Sequence, residues 1–133
     1  MTLPFKIDQL PEILPRLLIG TLRERLRKED IKFEPIVTNG RANAEVHWLF
    51  KGEESNGASG AIIRYNKGGY SPLHLHTGFE LKYILEGEMH TSMGTVKKND
   101  LILLRPGSVH ESWASDIGCI SLIIWLEPVK KID

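Results

Sequence analysis

From Ile31 onward the chain is a succession of short apolar or alternating runs, FEPIV, AEVHWLF, ASGAIIRY, ELKYIL, EMHTSM, DLILL and ISLIIWL, each followed closely by Gly, Asn, Ser or Pro. Runs this short suit strands rather than helices, and turn signals this frequent send the chain back on itself. The pattern predicts an all-β domain, a sandwich or jelly roll, over residues 31–133. Residues 1–30 read differently. Leu14, Leu17, Leu18, Leu22 and Leu26 recur at helical spacing but are interrupted by Pro11 and Pro15, so a short, broken helical arm is expected there. In its charged end, Arg23 to Asp30, acids alternate with bases and Glu24 stands four before Lys28, the pattern of a solvated helix face.

Composition narrows the function classes. At 133 residues, 41% of them hydrophobic, the chain can bury one core without disulfide staples. Lys and Arg total 17 against 17 Asp and Glu, so no net charge draws it to nucleic acid or to an anionic membrane, and neither partner is expected. Cys119 is the only cysteine, which rules out an internal disulfide. The first residues lack the basic-then-apolar layout of a secretion signal, and a cytoplasmic setting is expected.

One constellation carries chemistry. In Ser71-Pro72-Leu73-His74-Leu75-His76 the two histidines are spaced i, i+2, so on a strand both imidazoles leave the same face. Thr77-Gly78-Phe79 supplies a turn, and Glu80 opens the next strand pointing back to the same interior. A second turn, Arg105-Pro106-Gly107-Ser108, delivers His110 to the start of another strand. Three imidazoles and a carboxylate, with no thiolate, suit one borderline divalent ion such as Fe, Mn, Co, Ni or Zn.

Gly68-x5-His74-x-His76-x3-Glu80-x6-Gly87 resembles the first sequence motif of the cupins at every signature position. The second motif is kept in part. Asn99 stands where a glycine is usual, Arg105 where proline is common and Ala114 where an asparagine follows the histidine, while His110 is retained. The resemblance spans roughly residues 33 to 128 and implies a cupin jelly-roll barrel with His74, His76, Glu80 and His110 as metal ligands. The segment PGSVHESWASDIGCISLIIWL is similar to the branch holding the cupin domain of ChrR-type anti-sigma factors and the ketone-cleaving dioxygenases, and Trp48 fits a bulky position of that branch.

Strand alternation puts Lys82 on the same inward face as Glu80 and Ile84, where an apolar residue would be usual; an inward lysine beside a metal is a candidate to hold an anionic substrate. Arg64 and Arg105 are alternative anion anchors. Cys119 reads as a buried small hydrophobe, and Trp113 and Trp125 as walls of the core or of the pocket mouth. His47 and His90, without spaced partners, read as ordinary strand histidines. Leu81, Tyr83 and Leu85 predict that the opposite face of their strand is also buried, under the N-terminal arm or a partner subunit, and hence a homodimer.

The branch resemblance implies a non-haem dioxygenase, Fe(II) being its favoured metal, that cleaves a C–C bond of a small ketone or diketone; Glu80 and, from strand alternation alone, Lys82 are the candidate catalytic residues. It also implies an alternative, a non-catalytic zinc-binding sensor of a small molecule or oxidant. Against the sensor, residues 1–30 contain no histidine or cysteine for a separate zinc-binding, sigma-contacting domain. Sugar isomerases and lyases, which share the four ligands, form a third class.

Overall fold

The computed structural model describes residues 31–36 and 40–131, the last three by backbone alone; the expected helical arm over residues 1–30 lies outside them. The chain forms strands β1 (Glu34–Pro35), β2 (Ala42–Phe50), β3 (Ser59–His76), β4 (Glu80–Thr91), β5 (Gly94–Lys97), β6 (Leu101–Leu104), β7 (Val109–Trp125) and β8 (Val129–Lys131), with one helical turn, α1 (Gly52–Ser55), between β2 and β3. The strands join in one antiparallel sheet with the path β1-β2-β3-β7-β4-β5, β6 pairing with β4 and β8 with β3. This is the jelly roll expected from the turn rhythm. Among the described residues no helix is long and apolar enough to cross a membrane.

Three strands are much longer than the sequence runs that announced them. ELKYIL and EMHT are one strand, as are GAIIRY and SPLHLH, because the glycines between them bend the strand instead of ending it. β4 shifts register between Ile84 and Glu86 and again between Gly87 and Met89, where it faces β7. Gly87, with φ of 82°, and Gly118, with φ of 78°, meet at that bend, and a Cβ on Gly87 would run into the Gly118 carbonyl. The bend also changes which residues point inward: Glu80, Lys82 and Ile84 before it, Met89 after it. Each long strand thereby serves both layers of the roll. Ile123 of β7 pairs with Ala61 and Lys82, while Ser112, toward the other end, pairs with Ser71 and Thr91.

The interior holds Val46, Ala61, Ile63, Tyr65, Ile84, Met89, Cys119, Ile123 and Trp125, with Trp48 packed against them. Each fully buried isoleucine here contributes roughly 1.5–3 kcal/mol. A second cluster lies on the outer face of the sheet, where Ile31 covers Ile62, Leu85 and Ile120 beside Phe33, Leu49, Tyr83 and Leu122. The expected burial of the outer face of β4 therefore holds for Leu85 but not for Leu81, which is 43% exposed and pairs with the exposed Leu103 at the β6 edge.

Candidate metal centre

β3 ends at the site. Alternation over its last residues turns His74 and His76 inward, and both are buried. The Arg105-Pro106-Gly107-Ser108 turn has the proline and the positive-φ glycine of a type II turn, with Gly107 at φ of 92° and the Ser108 N–H donating to the Arg105 carbonyl at 3.1 Å. It is fastened to β3 by two backbone hydrogen bonds, the His76 N–H to Ser108 O at 2.9 Å and the Gly107 N–H to His76 O at 2.8 Å. Two residues later His110 sits directly opposite His74 in the β3–β7 ladder.

The result is a near-equilateral triangle of imidazoles. Ring centroids are 4.7 Å apart for His74–His76 and His74–His110 and 4.8 Å for His76–His110, each pair edge to face. One ligand nitrogen from each of the three lies within 4.8 Å of the other two. The His74 Nδ1–H donates to the Pro72 carbonyl at 2.8 Å, which leaves Nε2 as the lone pair facing His110 Nε2 at 3.2 Å. Among the described residues, both ring nitrogens of His76 and Nδ1 of His110 are buried without a hydrogen-bond partner.

Burial keeps these rings neutral. It lowers the pKa of His76 to about 4, helped by the charges of His74 and Lys82, and that of His110 to about 3, helped by Lys82, His74 and His76. His74 is lowered by burial too, against the pull of its Pro72 hydrogen bond. Neutral imidazoles converging on one point are the ligand form of histidine. The 3.2 Å between the two Nε2 atoms is a separation open to two nitrogens that each lie about 2.1 Å from one ion. The donor set fits a divalent metal.

Glu80, 3% exposed, lies beside this cluster with Oε1 3.6 Å from His76 Nδ1, but outside the group whose ligand atoms all lie within 4.8 Å. Burial raises its pKa, while Lys82, Arg41 and the Trp125 indole N–H pull it down. Lys82 is 8% exposed and, with His110, lines a cavity of about 190 Å3 whose other walls include Thr91, Met93, Ile102 and Leu104.

Other sequence expectations meet different outcomes. Arg64 alternates with the inward Ile63 and Tyr65, so it faces outward; its Nε and NH2 both donate to Glu45 Oε1, at 3.1 and 2.9 Å, and its guanidinium lies 4.6 Å from the Phe33 ring centroid. The carboxylate it meets is internal, and it is no anchor at this site. Arg105 is exposed in its turn. Trp125 is core, but Trp113 falls outward and is 41% exposed beside His90, since the inward positions near it belong to His110 and Ser112. Asn99 takes its glycine position with φ of 73°, a conformation asparagine tolerates better than most residues, which explains why the departure is harmless. Arg41, which sequence reasoning passed over, is near enough to affect both His74 and Glu80, and its Nε is buried without a partner among the described residues. Its position at the head of a strand gave no signal.

The ChrR cupin-like domain model matches residues 24–129. The chain belongs to the ChrR cupin-like family. A search of curated protein sequences finds no match. Among solved structures, this cupin is similar to an acetylacetone dioxygenase from Acinetobacter johnsonii, with TM-score 0.73, 18% identity and coverage of 86% of this chain and 81% of that one. It is also similar to the polyketide cyclase RemF from Streptomyces resistomycificus, with TM-score 0.70, 20% identity and coverage of 84% and 87%. A third is the Rhodobacter sphaeroides complex of SigE with the anti-sigma ChrR, with TM-score 0.61, 21% identity and coverage of 74% and 50%. At these identities the likeness establishes the fold, and this cupin's chemistry has to be argued from its own residues.

Proposed function

We propose that this cupin is a metal-dependent dioxygenase that cleaves a C–C bond of a small ketone or diketone, with the ion, Fe(II) by preference, held by His74, His76, His110 and Glu80. The observation that carries the reading is the triangle of buried, converging imidazoles, one of which, His110, lines a mostly apolar cavity together with the buried Lys82. The likeness to an acetylacetone dioxygenase supports it.

When bound, the metal supplies Lewis-acid polarisation of the ketone oxygen and redox chemistry toward O2. The protein does the rest. Lys82 places a positive charge in a mostly apolar cavity, where it stabilises the negative oxygen of an enolate far better than it would in water. Glu80 either fills the fourth ligand position or, standing off, accepts the proton that leaves the carbon between two carbonyls; its raised pKa suits the second task. Ile102 and Leu104 help keep water from the reacting carbon.

A zinc-binding sensor is the second reading, favoured by the family match itself and by the ChrR complex among the neighbours. It offers no account of the buried lysine. A cytoplasmic homodimer belongs to the proposal as well, the exposed Leu81, Leu101 and Leu103 supporting self-association.

The test is anaerobic purification without chelator, elemental analysis, and oxygen uptake with acetylacetone as probe. About one iron per chain and uptake that needs both metal and diketone are expected. Zinc that cannot be exchanged for iron, or an iron form that consumes no oxygen with any of a panel of small ketones, overturns the dioxygenase reading.

A further inference from the structure

Lys82 is 92% buried, yet among the described residues no carboxylate oxygen lies within 4.0 Å of its ammonium, although Glu80 on the same inward face is near enough for the two charges to act on each other. Its ladder neighbours are Ile102 on one side and Ile123 on the other, so its stem is flanked by aliphatic side chains. A buried charge without a partner is costly, and such a group persists where something else supplies the opposite charge. The cavity that Lys82 lines has about 190 Å3, against the ~150 Å3 that admits benzene in an engineered case. It has room for about six to nine non-hydrogen atoms.

The rest of the cavity cannot read a second charge. Val96, Ile102, Leu104 and Met93 are apolar. The two hydroxyls on the wall are occupied: Thr91 Oγ1 donates to the Gly94 carbonyl at 2.7 Å and accepts from the Met93 N–H at 3.0 Å, and Thr95 Oγ1 lies 3.0 Å from His90 Nδ1. Both are spent on shaping the β4–β5 turn. Met93 belongs to that turn and is 56% exposed although it lines the cavity, so it stands on the solvent side.

We infer that the site selects a small monoanion whose one negatively charged end meets Lys82 beside the imidazoles, and whose apolar body runs toward the β4–β5 turn, where Met93 limits its length. This rests on the reading that the three histidines hold an ion, but it concerns recognition, so it is tested by binding and not by turnover.

The experiment is calorimetric titration of the zinc-loaded protein with straight-chain monocarboxylates of two to ten carbons, with the matching primary amides and with glutarate. Affinity should peak between butanoate and heptanoate, and glutarate should bind at least tenfold more weakly than pentanoate. Lys82→Met should lose tenfold or more for the carboxylates while its amide affinities stay within twofold and its zinc content is unchanged; Lys82→Arg should keep the anion preference. Met93→Ala should move the optimum to longer chains. Carboxylate affinities in Lys82→Met equal to wild type overturn the charge assignment, and an unmoved optimum in Met93→Ala overturns the length limit. If Lys82→Met fails to fold or to keep zinc, Lys82→Gln gives the same comparison, and glutarate binding as tightly as pentanoate in the wild type overturns the single-charge claim with no variant at all. A protein that shows this selectivity but no oxygen uptake would sink only the dioxygenase reading.

Discussion

His74 and His110 stand directly opposite one another in the β3–β7 ladder, and their Nε2 atoms approach to 3.2 Å. With the His74 Nδ1–H committed to Pro72, two ring nitrogens at that separation are held together by either a proton or a cation between them. His110→Ala should therefore abolish stoichiometric metal binding, whereas His90→Ala, at an outward and half-exposed histidine, should retain about one ion per chain. Elemental analysis of the two purified variants decides it, and equal metal content in both would place the ion elsewhere.

The pH dependence of the metal-free protein should carry the same signature. His76 and His110 have folded pKa values pushed down to about 4 and about 3, against 6.5 in the unfolded chain. The unfolded state thus takes up protons that the folded state refuses, and stability is full above about pH 7 and falls as pH drops through 6.5 toward 4. Glu80 acts with the opposite sign, since its raised pKa favours the folded state at low pH, but it is one group against three histidines. Thermal unfolding midpoints should be flat above pH 7 and decline below 6.5, and His110→Gln should show a shallower decline. A midpoint independent of pH between 7 and 4 would contradict the burial argument.

Much of this site was legible because its determinants are local. The i, i+2 spacing of His74 and His76 needs only strand alternation, and the Pro106-Gly107 turn needs only its own residues to deliver His110. Lys82 was placed inward by the same alternation. What escaped reading depends on partners distant in sequence. Nothing in ELKYILEGEMHT says that Gly87 will meet Gly118 and bend one long strand, yet that bend decides which residues beyond it face inward. Arg64 gave the signal of a spare cation until the fold brought Glu45, 19 residues earlier, against its guanidinium. Arg41 approaches His74 and Glu80 only once β2 is docked on β3.

Gly87 offers a direct test of that bend. Alanine there must adopt a positive φ and push its Cβ into the Gly118 carbonyl, a backbone atom that cannot swing aside. Left-handed strain alone costs about 1–3 kcal/mol, and the contact adds to it. Gly87→Ala should unfold at a clearly lower denaturant concentration than wild type, while Gly107→Ala, at a similar positive φ but with open space around it, should cost less. Equal losses would mean that the close approach to Gly118 does not matter.

Arg64 and the metal site should separate cleanly. Replacing Arg64 by Leu leaves the Glu45 carboxylate on the outer face with only the Asn66 amide donating to it, a loss of roughly 1–3 kcal/mol, but touches nothing around the imidazoles. Unfolding measurements should register the loss, and metal content and small-anion affinity should not change. A drop in anion affinity would return Arg64 to the binding site.

Cys119 closes the comparison between buried and reactive groups. It is 1% exposed in the core between Tyr65 and Gly87, its ladder partners, and burial pushes its thiol up to about 12. Reaction with a thiol-specific aromatic disulfide requires the thiolate, so at pH 8 the native protein should release almost no chromophore over an hour. In denaturant the same sample should release one equivalent at once, because the unfolded thiol returns to its ordinary range. Rapid reaction in the native state would show that the β3–β7–β4 layer opens on that timescale, contrary to the close burial of Cys119.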